Sequence, residues 1–281
     1  MVEPVSATVI GGYLAKKTVD GLGRLLGPAG SEAGRALQRF TEVRLRNVGR
    51  VIENAERKTE AQHGADGAVP LSVALRVVDE GGYAEDAMVV EYLGGVLASA
   101  RTPRGRDDRG STFLALISRL STYHLRTHYV FYTEIRRLLQ GQNIHLGDLD
   151  EIHDHGRVFV PHSVHQAALD FDDTEDADAI LDHTMWWLDR EQLLGWNPGG
   201  SVEYLSTRPE LASYTFPAAG TIAWPTVPGA ELYLWALGQG QHGLHTFLNP
   251  THLDPPLPGI HIPSGSHRLA DLNTHSSTNG A

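Results

Sequence analysis

Cysteine is absent from the 281 residues of this chain, which excludes disulfides, thiolate nucleophiles and cysteine-ligated zinc. Long apolar runs are absent too, and none approaches the about 20 residues that span a bilayer as a helix. The opening residues, MVEPV, carry Glu3 where a secretory signal needs positive charge. We therefore expect a cytoplasmic protein.

Positive charge is scarce relative to negative charge, with 23 Lys and Arg against 34 Asp and Glu. The segment from Gly147 to Leu193 holds 13 acidic residues and only two basic ones, Arg157 and Arg190. Its net charge of −11 equals that of the whole chain, so the remaining residues have a net charge of zero. Such a distribution argues against a broad surface for neutralising phosphates. The pattern is typical of a solvated, acidic connecting region.

The run VSATVIGGYLAKKT at residues 5–18 approaches a phosphate-binding loop, but Lys16 stands where its second glycine belongs. In residues 6–26, apolar and charged residues instead recur with the period of a helix, which places leucines on one side and charged residues on the other. We predict a helix that packs on a partner or engages an anionic membrane surface at the inner face of the membrane. The residues assigned to this surface are Lys16, Lys17, Leu22, Arg24, Leu25 and Leu26.

Helical patterns dominate up to residue 140, and strand signals appear only after Gly141. Ser111 is expected to cap the helix that begins beside it, and GTIAWPTVPGAELYLWALG mixes strand and helix signals. The predicted fold is mainly α: an N-terminal helical hairpin and helical bundle, followed by a winged-helix-like α+β C-terminal part. The predicted divisions are 1–62 for the long-helix pair, 63–140 for the bundle, 141–176 for an acidic His-rich insertion, 177–248 for the winged-helix-like segment and 249–281 for a Pro-rich tail.

Three sequence runs occur in an order that is typical of a known family: LLGPAG followed by a predicted long helix, then EYLGGVLASA, then ISRLS. With these runs the chain resembles the Abi-alpha (abortive infection alpha) family, a domain of unknown function, over about residues 6–140. It resembles the family more loosely in ILDHTMWWLDREQLLG and TVPGAELYLWALG. The resemblance implies a role in abortive infection, in which an infected bacterium stops growing before phage mature. It implies no catalytic residues, and the acidic insertion and the tail depart from the family.

A second glycine pattern, GQGQHG at residues 238–243, satisfies the GxGxxG spacing of dinucleotide sites. Such a site needs a helix directly after the glycines, whereas Pro250, Pro255 and Pro256 interrupt the next segment of this chain. We therefore predict no nucleotide cofactor here.

The 15 histidines include two close pairs in the acidic segment, His153 with His155 and His162 with His165. With Asp154 or Asp170 these spacings suit zinc or manganese, but no HExxH pattern accompanies them. No metal is predicted, and the four histidines are candidates only under a hydrolase hypothesis. A further pair, His124 and His128, lies at i, i+4 on one helix face.

The recognition helix of a winged-helix interpretation would be the segment from Asp178 to Leu194, and it is acidic. Four acids accompany Arg190, so nucleic acid is disfavoured as a partner. Of the adjacent Trp186 and Trp187 we expect one to be a core anchor and the other to be partly exposed. The acids are Asp178, Asp182, Asp189 and Glu191.

The sequence as a whole favours a non-enzymatic antiphage component that acts through protein contacts, by binding a partner or by self-association. The alternatives are a winged-helix DNA-binding regulator and a metal-dependent hydrolase that uses the histidine-rich insertion. The sequence identifies no small-molecule substrate and no cofactor.

Overall fold

The computed structural model describes residues 38–60, 67–249, 257 and 260–273. The chain divides into two compact units, residues 1–114 and residues 115–281. The described part of the first unit is helical, while the second combines helices with a small sheet.

The described part of the first unit contains three helices and the start of a fourth, and aliphatic side chains together with Tyr92 form its buried core. Val51 of the first helix and Val73 and Val77 of the second are almost fully buried. Asp86 caps the third helix by accepting a hydrogen bond from the backbone N–H of Met88 at 2.7 Å. The helices are α1 (residues 38–60), α2 (Leu71–Gly81), α3 (Ala87–Ser99) and α4 (Gly110–Ile117).

A partly buried ion pair joins α1 to α3. Lys58 Nζ lies 2.9 Å from Glu91 Oε2 and donates to the Glu91 carbonyl oxygen at 2.7 Å. Burial lowers the pKa of Lys58 to about 8, although Glu91 acts in the opposite direction. Gly94 lets Asn54 of α1 pack directly on the backbone of α3, because a Cβ there would collide with the Asn54 amide.

The second unit begins with the long helix α5 and continues through alternating short helices and strands. Ser121 caps α5 through a capping box with His124. The elements are α5 (Thr122–Leu139), α6 (Leu149–His155), β1 (Val158–Pro161), α7 (His162–Leu169), α8 (Ala177–Arg190), β2 (Gly195–Gly200), α9 (Val202–Thr207), β3 (Gly220–Trp224), α10 (Val227–Ala236) and β4 (His267–Arg268).

The four strands form an antiparallel sheet in the order β2-β3-β1-β4. Phe159 pairs with Ile222 across β1 and β3, and both belong to a buried cluster with Leu205 and Leu211. Because side chains alternate along a strand, the neighbours of Phe159 face the opposite side. Helices α5 and α7 pack against β1 in the same unit.

The predicted fold class, mainly α with an α+β C-terminal part, is confirmed. The predicted cap is wrong, because α4 begins at Gly110 and places Ser111 inside the first turn. Strand β2 was not expected from its sequence, GWNPGG. The first helix of the predicted N-terminal hairpin lies outside the described residues. Within the described residues, no helix is long and apolar enough to cross a membrane.

Two glycines of the first unit make a matched pair for a stability test. We expect Gly94→Ala to lower the free energy of unfolding by about 1–3 kcal/mol, because its Cβ would displace Asn54. Gly49 lies within α1 with open space around its Cα, so Gly49→Ala should raise stability by up to about 1 kcal/mol. Urea denaturation followed by circular dichroism measures both. A neutral effect of Gly94→Ala would contradict the close packing of α1 on α3.

Candidate functional site

The surface predicted for the first segment cannot be placed, because Lys16, Lys17, Leu22 and residues 24–26 lie outside the described residues. Membrane engagement by this segment stays a prediction.

The four candidate metal ligands are divided between two helices. His153 and His155 lie on α6 and are exposed, whereas His162 and His165 lie on α7. His165 is buried, with Nε2 2.9 Å from Thr127 Oγ1. In the parts of the chain that the structure describes, no group of three or more His, Asp or Glu side chains could hold a metal ion.

The histidines of α5 hold helices together. His128 is fully buried, and its Nε2 donates to the Gly229 carbonyl oxygen of α10 at 3.0 Å. Its ring stacks on Tyr132 at a centroid distance of 4.4 Å. Burial lowers the pKa of His128 to about 3 and that of His165 to about 3. Neutral, hydrogen-bonded rings of this kind are parts of the core.

From the lowered pKa values of His128 and His165 we predict that the free energy of unfolding falls in mild acid. An unfolded histidine gains a proton as the pH falls below about 6.5, while folded His128 and His165 stay neutral down to about pH 3. Each ring should therefore lower the free energy of unfolding by about 1.4 kcal/mol per pH unit between those limits.

Urea denaturation at several pH values between 7 and 4 checks this expectation. His165→Asn should reduce the slope of unfolding free energy against pH by one proton, whatever it does to stability at neutral pH. An unchanged slope in His165→Asn would show that His165 is protonated in the folded chain.

The GQGQHG run ends a helix. The segment before it is α10, and Gln239 N–H donates to the Leu234 carbonyl oxygen at 2.8 Å after the last turn. Gly238 has a φ of +82°, which is the left-handed conformation that closes many helices. The strand that a dinucleotide site requires before its glycines is replaced by this helix.

Helix α8 presents its acids to solvent as one stripe. Asp178, Asp182, Trp186 and Asp189 succeed each other at intervals of three or four residues, so they share one face, and all four are exposed. We call these four residues, together with Trp196 of β2, the α8 face. The opposite side of α8 is anchored by the buried side chains Thr184, Met185 and Leu188.

Trp186 is the centre of the α8 face. The residue is 58% exposed, and the Trp196 ring meets the Trp186 ring edge-on at a centroid distance of 5.2 Å. Trp187 points elsewhere: it is half-buried, and the guanidinium of Arg190 lies 4.8 Å from its ring centroid. Trp186 is therefore the exposed tryptophan of the pair. Trp187 is the more buried one, but it is only half-buried and is not a full core anchor.

Two arginines near the C-terminal end of α8 make other contacts. Arg190 lies over Trp187, and Arg119 pairs with Glu191 at 2.9 Å. No Lys or Arg of the described residues forms an ion pair with Asp178, Asp182 or Asp189. These three carboxylates of the α8 face therefore have no Lys or Arg ion-pair partner among the described residues, although His162 of α7 is near enough to interact electrostatically with Asp178 and Asp182. Trp196 was not predicted, because nothing in GWNPGG marks it as a strand residue that reaches α8.

Comparisons with known proteins add no relative: no family model matches the chain, and neither curated proteins nor solved structures give a match. The resemblance to the Abi-alpha family stays a prediction.

Proposed function

We propose that this chain is a non-enzymatic component of bacterial antiphage defence, of the abortive-infection kind, and that it binds a protein partner through the α8 face. The defence context comes from the resemblance of its helical runs to the Abi-alpha family. The mode of action comes from the geometry of the α8 face.

The observation that carries the proposal is an exposed but restrained tryptophan. Trp186 is 58% exposed to solvent while the Trp196 ring packs edge-on against its ring. Tryptophan is among the residues most enriched at the energetic centres of protein interfaces. A ring already held by a neighbour loses little conformational entropy when a partner covers it.

The charges around Trp186 define the chemistry of the partner. Asp182 lies four residues before Trp186 and Asp189 three residues after it, so both carboxylates flank the ring on the same face. An arginine of a partner can stack on the indole and pair with a flanking carboxylate. The partner surface is therefore basic, with arginine or lysine side chains spaced to reach both acids.

The same charges oppose the DNA-binding alternative. A recognition helix must bring its exposed face within contact distance of phosphates, and the exposed face of α8 carries Asp178, Asp182 and Asp189. Repulsion between these carboxylates and phosphates would weaken a complex in which α8 enters a groove.

Expression in a phage-challenged host tests the proposal at the level of function. We expect wild type to reduce phage plating and Trp186→Ala to lose that protection at equal protein abundance. Tyr204→Ala is the matched control, because Tyr204 is an aromatic residue outside the α8 face that is 41% exposed. Equal protection by wild type and Trp186→Ala would remove the α8 face from the mechanism.

A peptide of six arginines tests the charge complementarity directly. The peptide should bind wild type at low salt, and Trp186→Ala should weaken binding by about 30-fold if the ring is an interface centre. Asp182→Asn with Asp189→Asn should weaken binding and flatten its salt dependence. Fluorescence titration measures both, with a hexaglutamate peptide as the control that should not bind. Equal affinity for the two peptides would contradict a basic partner.

A further inference from the structure

A cavity of about 360 Å³ lies at one end of the sheet in the second unit. Leu149 and Ile152 of α6 form one wall, and Trp224 at the end of β3 forms another. Asn197 of β2 and Arg157, which directly precedes β1, supply polar groups. The volume suits one small organic molecule or one large terminal side chain.

The strand register explains why these residues meet. Val158 pairs with Ala223 in antiparallel register, so the next pair outward is Arg157 with Trp224, on the same side as Phe159 and Ile222. The Arg157 carbonyl oxygen accepts a hydrogen bond from Leu269 N–H at 2.9 Å, which fixes its backbone. Gly195 pairs with Trp224, and a Cβ there would collide with the indole nitrogen, so the glycine leaves room for the ring.

The guanidinium of Arg157 is the unusual feature of this cavity. Its Nε is buried and has no hydrogen-bond partner among the described residues. Glu210 also lines the cavity, but its carboxylate is 2.6 Å from Arg208 on the exposed side. A guanidinium whose Nε is closed to water and has no partner is costly to bury, and an anionic ligand in the cavity that Arg157 lines offsets that cost through its charge.

We propose that this cavity binds the carboxylate of a ligand with an apolar body. The planar fork of Arg157 receives the two carboxylate oxygens, and Asn197, which also lines the cavity, supplies a further amide donor. The apolar body lies between the Trp224 indole and the side chains of Leu149 and Ile152. Leu149, which is 79% exposed, is covered when the ligand is in place.

The number of cations favours a carboxylate over a phosphate. Arg157 is the only arginine or lysine among the described residues that line the cavity. His153 also lines it, with Nδ1 3.2 Å from Asp154 Oδ1, and Glu210 adds a negative charge at the rim. A dianionic phosphate would be compensated by one guanidinium only, whereas a single carboxylate is matched in charge and in shape. The cavity shares no residue with the α8 face, so the tests of this site and the tests of the proposed function are independent of each other.

Nuclear magnetic resonance of the full chain tests the site with four defined probes. They are 1-naphthoate and its neutral amide, 1-naphthamide, and N-acetyl-glycyl-phenylalanine with a free or an amidated C-terminus. We expect the acids to shift the Arg157 Nε–H and Trp224 indole N–H resonances and to bind about 10-fold or more tightly than their amides. Preferred binding of the peptide acid identifies a protein C-terminus as the source, and preferred binding of naphthoate identifies a small organic acid.

Arg157→Gln should abolish the preference for acids over amides, and Arg119→Gln, which removes an exposed arginine outside the cavity, should leave it intact. If Arg157→Gln does not fold, the comparison of acid with amide binding to wild type still shows whether the cavity prefers a carboxylate. Equal binding of acids and amides by wild type, no resonance shift with any probe, or an unchanged preference in a folded Arg157→Gln variant would overturn the proposal.

Discussion

Helix α5 is the constraint on which the second unit depends, because it is buried along most of its length and yet carries polar side chains. Buried polar groups need hydrogen-bond partners, and several of those on α5 find them in other elements. His128 donates to the Gly229 carbonyl oxygen of α10, Thr127 lies within hydrogen-bond distance of His165 on α7, and Thr226 N–H donates to the Tyr132 hydroxyl oxygen just before α10. Close apolar packing already opposes sliding of the helix against its neighbours, and these hydrogen bonds further specify one register.

The surfaces of the unit result from that register. Helix α8 packs on α5, and its buried side is fixed by Thr184, Met185 and Leu188. With an α-helical period the opposite side must then present Asp182, Trp186 and Asp189 to solvent. The exposure of Trp186 is therefore a consequence of how the core is anchored, and the neighbouring strand β2 adds Trp196 to it.

Sequence periodicity predicted the helices well, because long amphipathic patterns such as that of α5 depend on local spacing alone. It also placed the acids of α8 on one exposed helix. Strand β2 was missed because GWNPGG lacks β-branched residues and carries proline and glycine, so its place in the sheet comes from pairing with β3. Strand β4 lies in the Pro-rich tail and exists through its pairing with β1. Such partners are distant in sequence, and no local pattern identifies them.

The two sites also differ in how far they depend on local sequence patterns or on residues that are distant in sequence. The α8 face lies mostly on one helix, so its acids were predictable, and only Trp196 needed the tertiary structure. The cavity beside Trp224 joins α6, the start of β1, β2 and β3, and its central feature is a missing partner for Arg157. In the sequence Arg157 is one of two arginines within the acidic segment, where an ion pair with a nearby carboxylate is the natural expectation. The fold instead pairs the carboxylate of Glu210 with Arg208 and leaves the Arg157 Nε buried without a partner, at a cavity that has apolar and polar walls. This arrangement makes Arg157 the polar centre of the proposed binding site.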